Sequence, residues 1–160
     1  MPEPTPARTV HIGGDHAAYE LQRELVRWLV EEGHQVVDHG PLEYDAADDY
    51  PVFVLPAARA VAADPEARGI VLGGSGNGEQ IAANKVAGVR AALASSPELA
   101  ALARQHNDAR IVSIGARFTD VATAQEIVRA FLTTEFEDEE RHARRVAMLE
   151  AYEADGTLPA

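Results

Sequence analysis

The amino-acid sequence predicts one α/β domain: a doubly wound, Rossmann-like sheet of five parallel strands with an extra helix at its C-terminal end. Three observations lead there. Short apolar runs alternate with stretches of helical periodicity along the chain. One run, "GIVLGG" (69–74), is apolar without interruption, as parallel strands covered on both faces tend to be. Finally, a helical pattern remains after the fifth run has already received a crossover helix of its own.

The first strand is "TVHIGG" (9–14), followed by a helix from Ala17 to Glu32 with Leu21, Leu25, Trp28 and Leu29 at helical spacing and Gly33 as its stop. "HQVVDHG" (34–40) reads as the second strand, and the loop "PLEYDAADDYP" leads into an alanine-rich helix that ends before "DPEARG". "GIVLGG" is the third strand, "VRAALA" (89–94) the fourth and "ARIVSIG" (109–115) the fifth, with the helix "SPELAALARQHN" between the last two. Two helices, 120–132 and 138–152, finish the pattern. The domain is therefore expected over 9–152, with a frayed tail over 1–8, where three prolines fall, and a C-terminal tail over 153–160. The final helix has no evident place on the sheet, and Val146, Leu149 and Tyr152 form an apolar stripe suited to a neighbouring subunit.

Composition narrows the function. With 26 acidic and 14 basic residues the formal charge is −12, which disfavours general binding to nucleic acid or anionic membrane. The chain has no cysteine, excluding a disulfide framework, a thiolate metal site and a cysteine nucleophile together. No window approaches the ~20 apolar residues of a membrane span, and "MPEPTPART" lacks the apolar core of a secretion signal, so a soluble, cytoplasmic protein is expected.

Ligands of open parallel sheets bind beyond the carboxyl ends of the strands. Strand one runs into Asp15-His16, strand three into a loop with glycines at 73, 74, 76 and 78, and strand five into Gly115-Ala116-Arg117. The glycine loop lets backbone N–H groups approach an anion at the start of a helix. The plain alternative is a tight turn capped by Asn77, with Gln80 completing a capping-box-like pair and Glu79 favouring the helix dipole. A dinucleotide fingerprint belongs after the first strand, and a nucleotide phosphate loop needs a Gly-Lys-Ser/Thr ending that is absent. Asp15 fits an N-cap, and His106-Asn107 fits an ordinary helix C-terminus near the amino edge of strand five, the far edge from such a site. If His106 is functional, it belongs to the pocket of a partner subunit. Arg141 and Arg145, at i, i+4, share a helical face near His142 and Arg144, which suits either solvent or phosphate oxygens.

Four segments together change the weighting. "GGDHAAYELQ", "GIVLGGSGNGEQIAANKVAGVRAAL", "ARQHNDARIVSIGAR" and "RHARR" resemble, in order and spacing, the ribose-5-phosphate isomerase B (RpiB/LacAB) family over residues 9–152. Many members carry a cysteine base at the end of the third strand. Here that position is Gly73, and "GGSGNGEQ" resembles the actinobacterial-type branch, whose base is the glutamate, Glu79. The resemblance implies an aldose–ketose isomerase interconverting ribose 5-phosphate and ribulose 5-phosphate in the pentose phosphate pathway. It also implies Ser75 and the amides of Gly74, Gly76, Asn77 and Gly78 around an enediolate, His106 as ring opener, and Asp15 and Asn107 on the sugar. His16, Arg117, Arg141 and Arg145 would take the phosphate of the phosphorylated sugar substrate. No cofactor or metal is implied, since the hydrogen moves as a proton. A homodimer with shared active sites is expected, a tetramer being the larger alternative. The rival readings are the same chemistry on a tetrose, allose or galactose phosphate, a non-catalytic sugar-phosphate binder, and a dinucleotide-binding module.

Overall fold

A computed structural model of the chain describes residues 5–160. Its sheet has five parallel strands, β1 (Thr9–Gly14), β2 (Gln35–Asp38), β3 (Arg68–Gly73), β4 (Ala91–Leu93) and β5 (Ile111–Gly115), in the order β2-β1-β3-β5-β4. The chain steps from β1 outward to β2 and returns past β1 to β3. The reversal opens a crevice at the carboxyl ends of β1 and β3, where such folds bind ligands. Expected strands two and four are trimmed to the residues that find a ladder partner.

Helices cover both faces, as the uninterrupted apolar strands require. On one side pack α1 (Tyr19–Glu31), α4 (Pro97–Asn107) and α5 (Val121–Thr133). There Leu25, Leu29, Ile127 and Phe131 close over Val10, Ile12, Ile70, Leu72, Val112 and Ile114. On the other side α2 (Pro51–Ala63) and α3 (Asn77–Asn84) bury Val54, Ala58, Val61 and Ala83 against Val71 and Ile111. The alternation of one strand's residues between the two clusters, Ile70 and Leu72 against Val71, is the period-two geometry of a pleated strand.

The last helix, α6 (Glu140–Asp155), packs on α4 and runs three residues beyond the expected 152. Val146 is buried against its own chain, whereas Leu149 and Tyr152 are each 56% exposed, so only two of the three stripe residues face outward. At the other end, residues 1–4 of the expected tail lie outside the described residues. Arg8 is anchored: its main-chain N–H donates to His34 Nδ1 at 3.2 Å and its guanidinium to Leu132 O at 2.9 Å. Among the described residues no helix is long and apolar enough to cross a membrane.

Candidate active site

The third strand ends in an arrangement set by volume. Glu79, on the first turn of α3, folds back so that its carboxylate occupies the place where a Cβ on residue 73 would lie. Only glycine leaves that room, so Gly73 and Glu79 form one device. Gly74 is crowded in turn by the Arg117 guanidinium, 3.1 Å from where its Cβ would be, and Gly78 by the Tyr50 ring at 2.7 Å. Guanidinium and ring thus approach the loop more closely than a Cβ at either position would allow.

Glu79 is 4% exposed. Burial pushes its carboxyl above the ordinary carboxylate range; the hydrogen bond from its own main-chain N–H opposes the rise and the charge of Asp15 adds to it. Desolvation outweighs the main-chain donor.

The capping expectation fails as well. Gly76, not Asn77, is the N-cap, with a left-handed φ of 83° and no side-chain cap. The Asn77 N–H donates instead to Ser75 Oγ at 3.2 Å, leaving the Ser75 hydroxyl proton available to a ligand. The Gln80 amide reaches Ala91 O at 3.3 Å. Two contacts from β5 hold the loop from beneath. Ser113 Oγ, fully buried, donates to Gly76 O at 2.7 Å, and Gly115 lets the Ser75 main chain pass 2.5 Å from its missing Cβ.

Around this loop lies a pocket of about 350 Å³. Asp15 and His16 enter it after β1, Gly74, Ser75, Gly78 and Glu79 after β3, and Arg117 after β5, with Tyr50 as a further wall. Asp15 caps the short turn His16–Ala18, its Oδ1 accepting the Ala17 N–H at 3.0 Å. Three strand ends therefore converge as expected.

Of the other expected site residues, Gly76 and Asn77 belong to the loop but do not line this pocket, and four lie away from it. His106, at the end of α4, stacks on His142 of α6 with ring centroids 4.4 Å apart and 13° between planes. The Asn107 carbonyl accepts from Arg90 Nε at 2.8 Å, Arg141 pairs with Glu139 at 3.4 Å, and Arg145 is exposed on α6. Within one chain these four face another part of the surface, near the amino end of β5. Two groups bring ligand-type atoms within 4.8 Å of one another, Asp15–His16–Asp48 and His106–Glu137–His142. In each, one imidazole nitrogen already has a partner, His16 Nδ1 on Asp48 at 2.7 Å and His142 Nε2 beside Arg141 Nε at 3.4 Å.

Comparison with known proteins places the chain in a family. Residues 10–149 match the model of a family described as Ribose/Galactose Isomerase. The chain belongs to that family. It is 53% identical over 150 residues to the ribose-5-phosphate isomerase B of Mycobacterium tuberculosis (strain ATCC 25618 / H37Rv), covering 94% of this chain and 93% of that protein. The structure of a Clostridium thermocellum ribose-5-phosphate isomerase B superposes with a TM-score of 0.88 at 40% identity, covering 93% of this chain and 99% of that one. A Mycoplasma genitalium ribose-5-phosphate isomerase B with bound ribulose-5-phosphate gives 0.89 at 38% identity, covering 92% and 97%. Two features of this isomerase-family pocket escaped the sequence reading. Ser113 showed only as one polar residue inside an apolar run, and Asp48 as one acid among several in the loop before the alanine-rich helix.

Proposed function

We propose that this chain interconverts ribose 5-phosphate and ribulose 5-phosphate through an enediolate, with Glu79 as the base. The observation that carries the assignment is the buried Glu79 carboxylate, seated in the space that glycine at 73 vacates and beside the glycine loop. Relatives that match nearly end to end are named for this activity, and one solved relative holds ribulose-5-phosphate.

The steps balance without further reagents. Glu79 takes the proton from C2 of the open-chain aldose. The C–H electron pair becomes a C1=C2 double bond, and the aldehyde oxygen becomes an enediolate oxygen. One proton passes from O2 to O1, the carbonyl re-forms at C2, and Glu79 returns its proton to C1. The Ser75 hydroxyl and the amides of Gly74, Ser75, Gly76 and Gly78 supply donors for the charged oxygens, and losing one such donor commonly costs about 10²–10³-fold. A carboxyl raised by burial is a stronger base near neutral pH than an ordinary glutamate. His16 and Arg117 provide cationic groups at the rim for the phosphate.

His106, Asn107, Arg141 and Arg145 complete this site from a second copy in a homodimer. His106 would open the sugar ring, and the two arginines would close on the phosphate. Their distance from the chain's own pocket along β5, five residues at roughly 3.3 Å each, supports that reading.

The test is a turnover screen over four-, five- and six-carbon aldose phosphates in ²H₂O. Ribose 5-phosphate is expected to be the best substrate, with deuterium appearing at C1 of the ketose. Preferred turnover of another chain length would reassign the substrate, and absence of turnover of every one of these phosphates would remove the isomerase reading.

A further inference from the structure

The loop between β2 and α2 sends one side chain into the pocket region. A turn closes there, with the Asp48 N–H donating to Asp45 O at 3.1 Å and the Ala47 N–H to Asp45 Oδ1 at 2.9 Å. Asp48, just beyond that turn, points inward, its side chain only 7% exposed. Its Oδ1 accepts two bonds from one residue: the main-chain N–H of His16 at 3.1 Å and the His16 ring Nδ1 at 2.7 Å. A carboxylate can only accept, so Nδ1 carries the proton. Among the described residues the other oxygen, Oδ2, is buried without a partner.

An ionised carboxylate that far from water needs a compensating cation and good donors. Beyond His16, the groups facing this corner are Asp15 on the same turn, Arg117 from β5, and Glu79 and Tyr50 across the pocket. His16 is the cation in contact. With Nδ1 occupied, Nε2 is the nitrogen left for a ligand. The geometry points to Asp48 as a positioning residue that fixes the His16 ring by Nδ1 and presents its Nε2–H, as an imidazolium donor, to the phosphate of the substrate.

The assignment rests on the reading of this pocket as a sugar-phosphate site. The two fixed bonds to Asp48 Oδ1 make the ring rigid before substrate arrives, which lowers the ordering cost of binding. The bond to Asp48 raises the imidazole above its ordinary value, with Asp15 reinforcing and burial and Arg117 opposing. His16 therefore keeps its charge to a higher pH than a free imidazole would.

The experiment compares wild type with Asp48→Asn, a near-isosteric change that keeps one acceptor. The His16 ring resonances, assigned by their loss in His16→Gln, are titrated without substrate. KM for ribose 5-phosphate is measured between about pH 6 and pH 8, the window of imidazole titration. Asp48→Asn is expected to lower the His16 midpoint and to move the rise of KM to correspondingly lower pH. At the upper end KM should be about tenfold above wild type, the worth of one charge-assisted bond, with kcat changed far less. Added to His16→Gln, it should alter KM by less than about twofold, because it acts through that ring. An unchanged His16 midpoint, an equal KM increase at every pH, or additive effects in the double variant would each overturn the role. Absence of turnover by wild type would instead defeat the isomerase reading. The titration, repeated with inorganic phosphate as ligand and its Kd in place of KM, would still decide for or against Asp48.

Discussion

The two ends of strand β5 make different kinds of surface. At its carboxyl end, Ser113 and Gly115 support a loop of bare backbone, and Glu79 sits almost fully buried beside it. At its amino end, His106 stacks on His142 and the arginines of α6 stand in solvent or pair with nearby glutamates. The first end is built by long-range contacts that fix a group where water is excluded. The second consists of polar groups on helix surfaces, each satisfied locally. A base needs the first arrangement, because desolvation is what raises its basicity. Groups that close over a ligand from outside need only the second. One chain thus carries two unlike halves, and a two-fold pairing would bring the half of each against the half of the other.

The largest effect expected breaks the carboxyl-end half. Glu79→Gln keeps the shape and removes the proposed base, and should lower kcat on ribose 5-phosphate about 10²–10⁴-fold. Gly73→Ala leaves the glutamate in the sequence but sets a methyl where its carboxylate lies, so a loss of the same order is expected. Because both changes remove the same function, the double variant should be no worse than the poorer single variant within about threefold. Steady-state kinetics on folded variants decides the matter. Full turnover by Gly73→Ala would show that the position of the carboxylate is not critical.

A second, intermediate effect sharpens the contrast between the ends. Glu79→Gln and His106→Ala, each inactive alone, are mixed as unfolded chains and refolded together. If the halves are exchanged across a two-fold axis, half of random dimers are mixed and each holds one intact site, restoring about a quarter of wild-type activity. If His106 served its own pocket, mixed dimers would contain no intact site and activity would stay at the level of the parents.

What the sequence made legible divides along the same line. Local signals were sufficient for the five strands, for Gly33 as a helix stop and for the convergence of three strand ends, since apolar period and glycine spacing are written within a few residues. The roles that escaped are those set by contacts distant in sequence. Ser113 acts on Gly76 across 37 positions and Asp48 on His16 across 32, and no periodicity encodes either pairing. Asn77 looked like an N-cap because its type and spacing were right, but the left-handed turn at Gly76 starts the helix one residue earlier. Asn84 spends its amide on the edge strand, exchanging two 2.9 Å bonds with the Ala91 main chain, a tertiary use invisible in "IAANK". Gly73 was legible as a glycine and illegible in its reason, which is the shape of another residue.

The smallest effect concerns the scaffold beneath the pocket half, and it guards the largest one against misreading. Activity should fall on the acid side as Glu79 takes up its proton, at a higher pH than an ordinary carboxylate because burial raises it. Acid also loads the fold. His11 Nδ1 and His39 Nε2 lie 2.9 Å apart. Burial lowers both, the charge of His39 lowers His11 further, Asp64 opposes at His11, and Asp38 opposes at His39. A depressed imidazole contributes stability that is present above the unfolded value, near pH 6.5, and is lost as pH falls through that value toward the folded one, because the unfolded chain binds the proton first. Glu79 and His16 have the opposite sign, since a group raised in the fold favours the folded state as it protonates. The Tm of wild type should therefore drop by a few degrees between about pH 7 and pH 5. His39→Gln, which keeps a hydrogen-bonding partner for His11 but cannot charge, should make that drop shallower without abolishing it, since burial depresses His34 as well. The acid limb of kcat should stay where it was in His39→Gln. If it moved with the Tm instead, the loss of activity in acid would belong to unfolding, and the pH profile would no longer speak for a buried base.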